Sequence, residues 1–220
     1  MKAPMGSMRP MRPMRLALPK GRNLKVTVEA LRAGGFQLAE LDSDDRKLLF
    51  QAPADGLEIF LLKDWDLPLY VQYGIADCGV VGSDVLEERD GDLLVPVRLN
   101  RGGCRLSFIG PEGALPPAGS QVRLATKYPN VARRVLATKP WGAEVMKLSG
   151  SVELGPILNL AEIALDIVQT GRTIRENGLV ELEVVREVSP CVVVNRASYQ
   201  QHRERLTTLI RRMEAAGVVA

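Results

Sequence analysis

An α/β fold in two lobes is what this 220-residue sequence predicts, on three observations. Strand-like and helix-like segments alternate from Arg15 onward, the pattern of helices layered on parallel strands. A glycine pair, Gly102-Gly103, interrupts that alternation near the middle of the chain. Apolar residues make up 46% and charged residues 25%, a balance that buries a sizeable core without metal or disulfide support. At ~150 residues per domain, the length fits one large domain or two small ones.

The elements follow in order. Residues 1–14 hold five of the seven methionines, three prolines and no apolar periodicity; they read as a disordered extension and lack the apolar segment of a secretory signal. Arg15–Pro19 is a strand, Lys20-Gly21-Arg22 a turn, and Asn23–Ala33 a helix with Leu24, Val28 and Leu31 on one face and Gly34-Gly35 as its stop. Lys47–Gln51 and Leu57–Lys63 are strands, Leu67–Tyr73 a short helix, Ala76–Val81 a buried strand, Ser83–Arg89 a helix and Leu93–Leu99 a strand. Beyond the glycine pair, Cys104–Ile109 is a strand and Pro111–Gly119 a loop. Gln121–Ala125 is a strand, Pro129–Thr138 a helix and Ala143–Lys147 a strand. Ile157–Val168 reads as a helix, because Ile157, Leu160, Ala161, Ala164, Ile167 and Val168 share one broad face and Pro156 suits a first turn. Leu179–Val188 and Cys191–Val194 are strands. Ser198–Ala216 is a terminal helix with a capping box at Ser198 and Gln201.

Composition excludes several functions. No apolar stretch approaches the ~18 residues of a membrane helix. His202 is the single histidine, which excludes multi-histidine metal sites and leaves little room for His-based triads. Cys78, Cys104 and Cys191 lie far apart without a C-x-x-C, so a reducing cytoplasm is expected rather than a zinc finger or disulfide framework. The formal charge is +3, but Lys2, Arg9 and Arg12 fall in the first 14 residues, leaving 26 basic and 26 acidic groups in residues 15–220. A nucleic-acid binder carries a basic face on its folded part. Phosphate binding here is therefore expected to be local, with neither nucleic acid nor membrane as partner.

Five segments carry chemistry, and in such folds ligands sit beyond the carboxyl ends of strands. The first ends in Asp166-Ile167-Val168-Gln169-Thr170-Gly171-Arg172-Thr173. Gly171 permits positive φ, successive amides there form an anion-binding concavity, Thr170 and Thr173 add hydroxyls and Arg172 adds charge. Asp166 is placed to accept hydrogen bonds from sugar hydroxyls. The plainer reading is a helix C-cap. In the second, Lys20 and Arg22 flank Gly21 between a strand and a helix, suited to a phosphate or simply a solvated turn. The third, Gly74–Asp84, holds Asp77, either a ligand contact or a structural acceptor, and Asp84, an N-terminal helix charge or cap. The fourth, Asp44-Asp45-Arg46-Lys47, reads as a solvated hairpin edge. The fifth, Ser149–Glu153, offers hydroxyls and the Glu153 carboxylate, or is a small polar loop.

Taken together, these segments resemble the ATP phosphoribosyltransferase family of histidine biosynthesis. The matching stretches are RLALPKGR (15–22), DRKLLF (45–50), DLPLYVQYGIADCGVVGSDVL (66–86), GSVELGP (150–156) and DIVQTGRT (166–173). Two residues depart from the pattern: Asn159 stands where glycine is expected, and Lys63 where arginine is more usual. The resemblance implies transfer of the 5-phosphoribosyl group of phosphoribosyl pyrophosphate to N1 of ATP. Magnesium would be carried by substrate, with no direct protein ligand.

It further implies that Thr170, Gly171, Arg172 and Thr173 hold the 5-phosphate. Asp166 and Glu153 would face the ribose. Lys20, Arg22 and Arg46, with Gly21 between the first two, would face pyrophosphate or triphosphate, and Asp77 would line the cleft. The implied fold is that of a type II periplasmic binding protein, with residues 15–99 and 189–220 in lobe I, residues 100–188 in lobe II and the ligand cleft between them. The length matches the family's short form, which works as a homodimer within a hetero-oligomer with a regulatory subunit resembling histidyl-tRNA synthetase. A two-lobed binding module without catalysis is the rival, since the fold alone does not fix function.

Overall fold

The computed structural model describes residues 12–38, 41, 47–99 and 103–215, the Arg22 side chain excepted. Arg46 and residues 1–11 of the expected extension lie outside the described residues.

Eleven strands form two mixed sheets among the described residues. The six-stranded sheet has the order β2-β3-β1-β4-β11-β5. Its strands are β1 (Met14–Pro19), β2 (Leu49–Ala52), β3 (Leu57–Leu62), β4 (Cys78–Gly82), β5 (Leu94–Arg98) and β11 (Pro190–Val194). The five-stranded sheet has the order β10-β6-β9-β7-β8. It is built from β6 (Cys104–Gly110), β7 (Gln121–Thr126), β8 (Gly142–Lys147), β9 (Ile163–Val168) and β10 (Val180–Val188). The chain leaves the first sheet after β5 and returns to it between β10 and β11, through Ser189.

Parallel pairing is confined to the middle of each sheet. β1 runs parallel to β3 and β4, and β7 runs parallel to β8 and β9. The flanking pairs are antiparallel. Six strands therefore deliver their carboxyl ends in matching sets, with Pro19 level with Leu62 and Thr126 level with Lys147.

The helices cover these sheets by their apolar stripes. α1 (Arg22–Ala33) buries Leu24, Val28 and Leu31 with Leu206, Leu209 and Met213 of α8 (Arg203–Met213) in the main core of the first sheet. Together they are the amphipathic 3.6-residue pattern of helices packed on a sheet. α2 (Leu67–Gln72) and α3 (Ser83–Arg89) close a second core around Leu67, Val71, Val81 and Val85. α4 (Pro129–Leu136) packs Val131, Ala132 and Val135 against Phe108, Leu124 and Trp141 of the second sheet.

Three elements differ from expectation. The predicted Ile157–Val168 helix is instead a one-turn α5 (Leu154–Ile157) followed by β9. Ile163, Ala164 and Leu165 are all buried, because β9 lies between β6 and β7 and is covered on both faces. Such a strand is continuously apolar and cannot be told from a buried helix by periodicity. The terminal helix is two helices, α7 (Arg196–Gln201) and α8, parted at His202. Its cap sits earlier than predicted, where the Asn195 side chain accepts the Ser198 amide at 2.9 Å. The first strand also starts earlier, at Met14, inside the expected extension.

Candidate active site

Loops after β1, β3 and β4 of the first sheet and after β7 of the second line one cavity, while those after β8 and β9 lie at the carboxyl ends of strands flanking β7. After β1, Lys20 and Gly21 lead into α1. Gly21 adopts φ 79° and ψ −141°, a region closed to residues with a Cβ. The Lys20 amide is tied to the Leu62 carbonyl at 2.7 Å, which fixes where its side chain starts. After β3 come Lys63, Asp64 and Trp65, with the Asn23 amide donating to Asp64 at 3.1 Å. After β4, Asp84 opens α3. After β7, Lys127 and Tyr128 precede α4.

These residues meet across the lobes. Lys20, Asn23, Lys63, Asp64, Trp65, Asp84, Lys127 and Tyr128 line a cavity of about 300 Å³. The Tyr128 hydroxyl donates to Asp84 at 2.7 Å. Burial, and after it the negative charge of Asp84, pushes the phenol up, and Asp166 adds to that rise. Tyr128 is held from behind as well: its amide donates to the Thr126 hydroxyl, which donates to the Leu165 carbonyl. Glu88 of α3 accepts the Asn130 and Val131 amides at 2.9 and 3.0 Å, so a carboxylate of one lobe caps the α4 N-terminus of the other.

The second group surrounds the loop after β9. Residues 167–174 enclose a concavity of about 180 Å³. Gly171 has φ 69° and precedes α6 (Arg172–Glu176), so a strand rather than the expected helix runs into this turn, as the strand-end rule requires. Thr170 and Thr173 are exposed, and the Arg172 side chain makes an exposed i,i+4 pair with Glu176. The underside is firm. Val168 and Ile174 are buried with Val152, the residue before Glu153. Gly155 lies so close to β7 that a Cβ there would stand 2.7 Å from that of Ala125. The Glu153 turn and the 170–173 loop thus share one small core. Asp166 lies on β9 opposite Ser107.

Asp77 is placed apart from the other candidate residues, and of its two readings the structure supplies the partners of a structural acceptor. It precedes β4, at the rim away from the strand carboxyl ends, and is fully buried. Arg12 forks onto both its oxygens at 2.7 and 2.8 Å, and the Arg15 amide and Ser198 hydroxyl fill the rest. Burial alone would raise the carboxyl, but these hydrogen bonds outweigh it and hold it below the usual range. Asp84 is a charge in the first turn of α3, as one of its two readings has it, and makes no capping hydrogen bond there. Lys20, Gly21, Glu153, Asp166 and residues 170–173 all lie on strand-end segments, as does the Arg22 backbone. Sequence reasoning missed Trp65, Lys127 and Tyr128, which the strand-end rule applied to β3 and β7 would have found.

The three cysteines are buried and unpaired with one another, and burial pushes the Cys78 and Cys191 thiols up. Among the described residues no three His, Cys, Asp or Glu side chains are grouped to hold a metal, and no helix is long and apolar enough to cross a membrane.

Comparison with known proteins places this geometry. A Geobacter metallireducens ATP phosphoribosyltransferase is 40% identical over 203 residues, covering 90% of this chain and 96% of the relative. The Marinobacter nauticus enzyme of the same name is 44% identical over 202 residues, covering 91% and 94%. The solved ATP phosphoribosyl transferase (HisG:HisZ) complex from Thermotoga maritima contains a chain superposing with a TM-score of 0.77 at 34% identity, covering 92% of this chain and 97% of that one. An L-arginine-bound protein shares the fold alone, at a TM-score of 0.57 and 10% identity over 92% of this chain and 85% of that one. The family model for HisG, ATP phosphoribosyltransferase, matches residues 63–215, and the chain belongs to that family.

Proposed function

We propose that this chain is the catalytic subunit of a two-component ATP phosphoribosyltransferase. It transfers the 5-phosphoribosyl group of phosphoribosyl pyrophosphate to N1 of ATP, giving phosphoribosyl-ATP and pyrophosphate in the first step of histidine biosynthesis. The observation that carries the reading is the placement of a small, glycine-centred concavity and a lysine-lined cleft at the carboxyl ends of parallel strands. The rival binding module is not favoured, since the curated relatives matched over most of the chain are named as enzymes.

The chemistry suits this residue set. The N1 lone pair attacks the anomeric carbon as the carbon–oxygen bond to pyrophosphate breaks, so no general base is needed for the attack. The barrier is charge separation, and catalysis is positioning and electrostatic stabilisation. In our reading, Thr170, Gly171, Arg172 and Thr173 hold the 5-phosphate, and Asp166 and Glu153 face the ribose. Lys20, oriented by Gly21, draws on the diphosphate or triphosphate together with Arg22 and Arg46. Residues 15–99 and 189–220 act as one lobe and residues 100–188 as the other.

Enzymes of this family use a metal ion in catalysis. We assign Mg²⁺, held by substrate phosphate oxygens, which when bound neutralises charge on the leaving diphosphate. The Thermotoga maritima relative is solved with HisZ, and we assign this chain a regulatory partner of that kind, resembling histidyl-tRNA synthetase, around a homodimer in the cytoplasm. The test is direct: the chain with its partner, given ATP, phosphoribosyl pyrophosphate and Mg²⁺, is expected to form phosphoribosyl-ATP, and folded protein that forms none refutes the assignment.

A further inference from the structure

Trp65, in the loop between β3 and α2, has no role in the chemistry above, yet it lines the cleft cavity with Lys20, Lys63 and Lys127. Its ring lies 5.4 Å from that of Tyr128, tilted by 36°. Lys127 Nζ stands 4.7 Å over the indole. An aromatic group from each lobe therefore meets beside a cation. Tyr128 also feels the charge of Asp166, the strand residue that leads into the 170–173 loop. Trp65 thus lines the cavity beside the lysines, against the aromatic ring that follows β7.

That is where an acceptor purine has to lie. Its N1 must reach the anomeric carbon near the β9 loop while its triphosphate reaches the cleft cations. Of the two aromatic side chains lining the cavity, Tyr128 is buried and its hydroxyl is committed to Asp84. We infer that Trp65 is the stacking surface for the acceptor purine, and that Lys127 leaves the indole for the triphosphate when the nucleotide binds. The inference rests on the phosphoribosyltransferase reading. An ammonium over an indole is a modest attraction, readily exchanged for phosphate oxygens of full opposite charge, and the vacated face suits a purine.

The chain reports on itself, because it has two tryptophans and Trp141 is buried edge-on to Phe108 in the second core. In the assembled complex, ATP is expected to quench wild-type tryptophan emission saturably, and inorganic tripolyphosphate is expected to leave most of it. Trp65→Leu, which keeps Trp141, is expected to lose the ATP response. It should also raise KM for ATP about tenfold, the scale of one base–aromatic stack, with kcat and KM for phosphoribosyl pyrophosphate within about twofold. Trp65→Phe should restore most of the affinity. An unmoved KM for ATP in an active Trp65→Leu enzyme overturns the inference alone, as does an equal rise in both KM values with a lowered melting temperature. A wild-type complex that forms no phosphoribosyl-ATP overturns the functional reading and the inference with it.

Discussion

The first sheet places charge at both rims of its parallel strands, and the two rims are built on opposite terms. Ahead of β4, Asp77 is fully buried and accepts from a guanidinium, an amide and a hydroxyl. Beyond β1 and β3, Lys20 and Lys63 are exposed and open onto the cleft, as Thr170 and Thr173 are beyond β9. A carboxylate with its acceptor capacity filled holds a fold together. Donors left facing a cavity are available to a ligand. Sequence alone presents both rims as charged residues at strand ends, and partnership separates them.

Substitution should set the two rims apart. Lys20→Ala is expected to lower kcat/KM by about two to three orders of magnitude, the scale of one preorganised electrostatic contact, with little change in melting temperature. Steady-state kinetics beside a thermal melt checks both halves. Asp77→Ala should do the reverse: kcat is retained while denaturant unfolding shows a loss of about 2–3 kcal/mol, below the full cost of breaking a buried pair because Arg12 is partly exposed. Because the Asp77 carboxyl is held low in the folded state, its contribution is complete above the ordinary carboxylate range of about 4 and is lost as pH falls through the folded value. Asp77→Asn should flatten that acid-side loss in urea titrations between pH 2 and 6, values chosen as about two units either side of the ordinary value.

Smaller effects refine the comparison. Gly171→Ala forces a Cβ into φ 69° at about 1–2 kcal/mol. It should raise KM for phosphoribosyl pyrophosphate about tenfold, with KM for ATP nearly constant; equal changes in both would detach the loop from the sugar phosphate. Asn159 is left-handed at φ 57°, which explains why glycine is expected there and why asparagine, the side chain that best tolerates this region, replaces it. Asn159→Gly should alter stability by under about 0.5 kcal/mol in chemical denaturation, relief of strain being offset by chain entropy.

How much was legible in the sequence followed from how each segment meets its neighbours. Amphipathic α1 and α4 carry their packing in their periodicity, and they form near the predicted bounds. β9 hides its own type, because two flanking strands and two covered faces bury Ile163, Ala164 and Leu165 alike. The 170–173 turn announced itself through glycine between hydroxyl residues. Trp65 and Tyr128 did not, since their meeting depends on two loops 63 residues apart in the chain being brought together by separate sheets. Asp77 was ambiguous for the same reason: Arg12 and Ser198, its partners, are distant in sequence.

The passage of the chain between sheets has a mechanical consequence. The residues that flank the two crossings are paired, Arg98 with Cys191 in the first sheet and Cys104 with Val188 in the second. Contacts such as Tyr128 with Asp84 and Glu88 with α4 brace the two halves against each other. A nucleotide and a sugar donor spanning the gap would supply a further point of support, coupling how firmly the halves are braced to whether both reactants are present.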